Sequence, residues 1–231
     1  MLNRQLGMSD FLLDPLYKTW LERIKKSGTA VGSVQVLATV RRGPNIFAGL
    51  IDAELVTEGG LRLRRCMMIR GDSVIVVPVI HPNDGSPPYT LMVDQHRPVD
   101  GCHMLEFVGG MLESGESAET CAVNEVKEEL GLTIEPSQLH LLHPEPIRVC
   151  TAMLDERSYI FMFSLEVTGN FRQEIDGVST GDHADGEWIR IRAVDFPAVG
   201  AQPVFSAQVG LRLVENFLGH RFWTKPGITG G

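Results

Sequence analysis

The sequence predicts an α+β protein, with an N-terminal helix and small β-rich domain over residues 1–69 and a larger domain of strands and helices over residues 70–231. Three observations carry this expectation. Residues 14–28 repeat apolar side chains at helical spacing, and residues 31–80 alternate β-branched runs with turn residues. Residues 109–132, GGMLESGESAETCAVNEVKEELGL, join a glycine-bracketed acidic loop to a short acidic helix.

The first helix has Asp14 as N-cap and Pro15 at its first position, with Leu16, Trp20, Leu21 and Ile24 on one face and Gly28 closing it. Lys25 and Lys26 complement its C-terminal dipole. The runs VGSVQVLATV, IFAGLIDAELV, LRLRRCMMI and SVIVVPVI then read as strands because Gly, Pro and Asp separate them. HPNDGSPPY, residues 81–89, is a loop by composition, and YTLMVDQHRP follows as a further strand. In the acidic helix Ser117 serves as cap and Gly131 as the left-handed end, while Ala118, Ala122, Val126 and Leu130 recur as a buried stripe. WIRIRAV reads as a late strand, Ala207 to Leu218 as a last helix, and TKPGITGG as a frayed tail.

Composition narrows the classes. Hydrophobic residues at 43% and charged residues at 22% fit a globular chain rather than a disordered one. A net charge of -8 lacks the basic excess that neutralises nucleic-acid backbones, so no nucleic-acid partner is expected. An anionic ligand would need local compensation, for which bound divalent cations are the usual source. Cys66, Cys102, Cys121 and Cys150 form no CxxC pair and are expected to be reduced and mostly buried. No apolar run approaches the roughly 18 residues of a membrane span, and an N-terminus carrying Asp10 and Asp14 resembles no signal peptide. The expectation is an intracellular, cytoplasmic protein without a membrane partner, an organelle remaining open.

Glu125, Glu128 and Glu129 stand at i, i+3 and i+4, which sets three carboxylates on one helical surface. A solvated acidic face is the plain alternative. Beside them the loop supplies Glu116 and glycines whose missing Cβ atoms let backbone carbonyls approach. Oxygen donors of this kind suit Mg2+, or Mn2+, better than zinc.

From Gly110 these residues follow the pattern G-x5-E-x7-R-E-U-x-E-E-x-G-U, where U is aliphatic. Glu116, Glu125, Val126, Glu128, Glu129, Gly131 and Leu132 fall in place, and Asn124 stands where the pattern has arginine. The segment thereby resembles the signature of the Nudix hydrolase family. The resemblance implies an α/β/α sandwich with a mixed sheet and implies metal ligands at the Gly109 carbonyl, Glu125, Glu129, Glu128 and Glu187. Asn124 removes the charge thought to orient neighbouring carboxylates, which implies altered rather than abolished activity.

The stretch DQHRPVDGCHMLEFVGG is similar to the ADP-ribose and ADP-sugar pyrophosphatase branch, in which a Q-x-R strand precedes an L-E-x-P-A-G lead-in. By that resemblance Arg97 contacts the substrate diphosphate and Glu106 lies at the floor of the site, while a surface ion pair is the plain alternative for Arg97. CTAMLDERSYI takes the place of a loop ending in E-R, which Glu156 and Arg157 match although its S-P-G portion is absent. Glu156 is thus a candidate substrate contact or a structural acid. GDHADGEWIRIRAVDFPAV resembles the loop delivering late carboxylates, placing Glu187 and Asp185 as catalytic candidates alongside Glu128; both also suit an ordinary turn. Across most of its length the chain looks most like plant ADP-sugar diphosphatases of the family. That implies Mg2+-dependent cleavage of a nucleotide sugar, ADP-glucose or ADP-ribose, and a homodimer through the N-terminal domain. The alternatives are a nucleotide-sugar sensor with a degenerate site and a hydrolase of nucleoside triphosphates.

Overall fold

The computed structural model of the protein describes residues 10–181, 188–219 and 221–222. Helix α1 (Pro15–Lys26) leads into strands β1 (Ala30–Arg42), β2 (Asn45–Val56) and β3 (Arg62–Ile69). Strands β4 (Ser73–Pro82), β5 (Tyr89–Arg97), β6 (Cys102–Glu106) and β7 (Val108–Met111) precede helix α2 (Ala118–Leu130). The remainder comprises β8 (His140–Leu141), β9 (Ile147–Arg148), β10 (Arg157–Val167), α3 (Phe171–Ile175), β11 (Ser179–Thr180), β12 (Ile189–Asp195), α4 (Phe196–Val199) and α5 (Phe205–Leu218). One sheet has three strands in the order β1-β2-β3. The other is a mixed nine-stranded sheet along β11-β12-β5-β4-β10-β8, with β6 on β5, β7 on β4 and β9 on β10. The α+β expectation therefore holds.

The chain divides into two compact units that do not follow a single cut in the sequence. The first gathers residues up to Ser73 with Met111–Gly115 and Ile147–Ser158. Its three strands are antiparallel, and α1 lies against them as its local chemistry dictates. Asp14 accepts a hydrogen bond from the Leu16 N–H at 2.9 Å, so one of the orphan donors of the first turn is satisfied. At the other end Gly28 takes φ 77°, a conformation that suits a residue without Cβ. The apolar face of the helix is buried as expected at Trp20, in a core with Phe11, Tyr17, Val36, Ile51, Ala53, Leu55 and Ile69. A Cβ on Gly49 would overlap the Phe11 ring, so the ring takes this place only because the strand position is glycine.

An ion-pair network joins segments distant in sequence within this unit. Arg157 pairs both carboxylate oxygens of Asp72, at 3.1 and 2.5 Å, and Arg23 spans Asp72 at 3.2 Å and Asp155 at 2.7 Å. Asp155 also accepts from the backbone N–H groups of Arg70 and Gly71 at 2.8 and 3.2 Å. Charges this sheltered persist because each is paired and hydrogen-bonded.

The second unit holds Val74–Gly110, Glu116–Pro146 and Tyr159–Gly231. Strand β4 is buried at every residue from Ser73 to Ile80, which means both of its faces are covered, as its uninterrupted apolar run anticipates. Gly210 lets α5 close on this sheet, since a Cβ there would fall 2.7 Å from the Phe107 ring and 2.9 Å from the Val77 Cγ2. The stripe Ala118, Ala122, Val126 and Leu130 of α2 is buried as expected. Short elements are where the sequence reading falls short: α3 was not expected, and the lead-in to the acidic loop breaks into β6 and β7. The four cysteines are free, as expected, but only Cys121 is buried; Cys66, Cys102 and Cys150 are exposed, which corrects the expectation of mostly buried thiols.

Candidate active site

The site is built where β7 meets α2 in the second unit. Ser117 accepts from the Thr120 N–H at 3.1 Å and starts the helix, and Gly131 ends it at φ 66°. Between these caps the buried stripe fixes the helix rotation, and the rotation decides what each glutamate meets. Glu129 is buried, and its Oε2 accepts a hydrogen bond from the Gly109 N–H at 3.1 Å. The hydroxyl of Thr180 donates to the Glu129 carbonyl at 2.6 Å, fixing the last turn from the β11 side. One turn earlier, Glu125 is half-buried and packs across Gly110, where any Cβ would overlap its carboxylate. Glu128 is exposed. The three acids thus differ in environment, with Glu125 and Glu129 turned onto the glycine strand.

Asn124 is not idle. Its Nδ2 donates to Glu116 Oε1 at 3.1 Å, tethering the loop acid to the helix by a neutral amide. Behind the cluster, the Cys121 thiol is pushed up to about 12 by burial first and then by the charges of Glu116, Glu125 and Glu128. The thiol therefore registers the negative field that the acids create together.

Arg97 and Glu106, also of the second unit, form a two-point pair, with Nε donating at 2.6 Å and Nη2 at 3.2 Å. The arrangement brings the two predicted substrate residues together and fixes the guanidinium plane. Glu156 belongs to the first unit, is buried, and meets Arg70 at 3.4 Å. Asp185 and Glu187 lie outside the described residues.

Among the described residues no group of three His, Cys, Asp or Glu side chains is gathered tightly enough to hold a metal ion. The donors gathered at this site are two carboxylates and a strand of glycines, and the strand admits them only because it lacks Cβ atoms. This all-oxygen cradle fits a hard divalent cation that takes few protein ligands and keeps waters and phosphate oxygens for the rest. Helical spacing set Glu125 and Glu129 on one surface and the family resemblance added Gly109, and the structure brings these residues into one neighbourhood. Sequence reasoning missed the roles of Gly110, Thr180 and the Asn124 amide, because each depends on a neighbour brought in by folding.

A family model described as NUDIX domain matches residues 70–209. Nudix hydrolase 14, chloroplastic, of Arabidopsis thaliana is 26% identical over 216 residues, 83% of this chain and 67% of that protein. ADP-sugar pyrophosphatase of Mus musculus is 40% identical over 60 residues, which is 26% of this chain and 27% of the mouse protein. A crystal structure of an ADP compounds hydrolase shares the fold with a TM-score of 0.56 at 17% identity, covering 83% of this chain and 94% of the other. The family match takes in more than half of the chain and all of the glutamate helix, and the chain belongs to the NUDIX family as a pyrophosphohydrolase whose likeness runs to the ADP-sugar branch.

Proposed function

We propose that the protein hydrolyses the diphosphate of a nucleoside diphosphate sugar, ADP-glucose or ADP-ribose, to a nucleoside monophosphate and a sugar phosphate, with Mg2+ as cofactor. One observation carries the reading: Glu129 is docked on the Gly109 N–H while Glu125 fills the space that Gly110 leaves, so that two carboxylates and one glycine strand share a single cradle. The names of the mouse relative and of the structural neighbour support the choice of an ADP-containing substrate.

Glu125, Glu129 and the Gly109 carbonyl, joined by Glu128 and Glu187, would hold Mg2+ or Mn2+. When bound, the cation supplies Lewis-acid charge stabilisation at phosphorus and makes water more acidic. The side chains do the remainder. The Gly109 N–H holds Glu129 in one rotamer, and Asn124 holds Glu116 beside the helix. Glu128, Glu187 or Asp185 takes the proton of the attacking water. Arg97, its plane set by Glu106, steadies the departing phosphate. Glu156, paired with Arg70, is carried forward as a substrate contact or a structural acid. We further propose a homodimer formed through the N-terminal domain, working in the cytoplasm. Among the described residues no helix is long and apolar enough to cross a membrane.

Glu129→Gln tests the reading. With folding intact, turnover of ADP-glucose and ADP-ribose should fall by more than about 100-fold, the rate equivalent of roughly 2.7 kcal/mol. Full turnover by that variant removes the proposed chemistry. Metal-dependent binding of the nucleotide sugar by the wild type without product would instead favour the sensor, and preference for a nucleoside triphosphate in the same panel would move the substrate class.

A further inference from the structure

The β5–β6 hairpin carries a second cluster of donors on the face away from Arg97. Its antiparallel register sets Asp94 opposite Leu105 and His96 opposite His103, whereas Gln95, Arg97, Cys102 and Met104 alternate onto the other side. His96 and His103 are therefore direct cross-strand neighbours, with ring centres 5.6 Å apart. Asp94 approaches His103 Nδ1 at 2.9 Å from the same face. Both imidazoles are exposed, so water reaches them without any rearrangement.

We propose that His96 and His103 bind one divalent cation of the zinc class, with Asp94 behind His103 and water completing the coordination. The spacing is the first argument. A cation about 2.0–2.1 Å from a ligating nitrogen, in the plane of the ring, lies roughly 3.2 Å from the ring centre, and two rings at the tetrahedral angle then have centres about 5 Å apart. The observed 5.6 Å is close to that value, and with the ring planes at 69° a turn of the exposed imidazoles would bring one nitrogen of each to a common ion. The second argument is Asp94. A carboxylate accepting from Nδ1–H selects the tautomer whose Nε2 lone pair ligates, and it raises the basicity of that nitrogen. Donor chemistry makes the third: paired imidazoles favour Zn2+, Ni2+ or Cu2+, whereas the glutamate cradle of the other site takes a hard cation. The two sites are separable by the metal offered.

Such an ion clamps β5 to β6, the two strands that carry Arg97 and Glu106. The binding itself stands independently of the nucleotide-sugar reading, because it is measured without substrate.

The test is calorimetric titration of the full-length protein with Ni2+, a probe chosen to lessen capture by the exposed thiols, with Mg2+ in excess to fill the oxygen site; Zn2+ is titrated second. One equivalent should bind to the wild type, and His96→Ala and His103→Ala should each weaken it by more than about 10-fold, the lower end of what loss of even an outer partner costs. Asp94→Asn should weaken it to a smaller extent, and His81→Ala should leave it unchanged. Circular dichroism confirms that these surface variants fold. A wild type that takes up no Ni2+ overturns the proposal, as does undiminished binding by both histidine variants.

Discussion

A single missing methyl decides how Glu125 sits. Because a Cβ on Gly110 would occupy the carboxylate's place, Gly110→Ala should displace Glu125 and lower turnover by at least about 100-fold, while the spectrum of the folded chain is unchanged. Steady-state assay of a folded Gly110→Ala protein checks this, and near-normal rates would show that Glu125 does not need its present position. The cysteines supply a contrast in reactivity. Cys150 is exposed, and the N–H groups of Ala152, Met153 and Leu154 lower its thiol below the usual range, whereas Cys121 is held up to about 12. At neutral pH iodoacetamide should modify Cys150 first and Cys121 last, as read by peptide mass spectrometry. At this scale the sequence exposed what spacing alone determines, such as Glu125 and Glu129, four residues apart on one helix. It did not expose the solvent-facing cysteines, because a thiol on β3, on β6 or in a turn is inside or outside according to a strand register that one sequence does not declare.

Helices α1 and α2 were legible to within a residue or two because capping is local: Asp14, Ser117 and Gly131 each act on backbone groups within a few positions of themselves. Helix α3, five residues long, has no such periodicity and was invisible. Its end is instead fixed from outside, since Asp176 accepts from the Ala193 N–H at 2.9 Å and from Arg192 at 3.1 Å. The backbone hydrogen bond, with Arg192 and Arg172 adding to it, holds this carboxyl below the usual aspartate range. A folded value below the unfolded one means that Asp176 stabilises the protein above the ordinary carboxylate value, and that this contribution is lost as pH falls through the lower folded value. Asp176→Asn should therefore flatten part of the decline in melting temperature below about pH 4. The effect is small because the side chain is well exposed, and identical acid profiles for the two proteins would exclude it.

For the molecule as a whole, a border near residue 70 follows from the change of pattern along the chain, but the first unit also recruits Met111–Gly115 and Ile147–Ser158. Those additions rest on pairs such as Arg157 with Asp72 and Met68 with Met153, whose partners lie far apart in sequence and leave no periodic trace. The proposed homodimer is checked by light scattering, which should return twice the 25.5 kDa of one chain and should hold on dilution into the range of the activity assay. A mass of one chain at every concentration would assign the N-terminal sheet another role. Since Phe11 is wholly enclosed and lies where Gly49 has no side chain, trimming the chain past Asp10 would open a hole against β2 that water fills poorly. Deletions meant to tidy the N-terminus therefore have to stop before that ring, and cutting deeper trades convenience for a loosened domain.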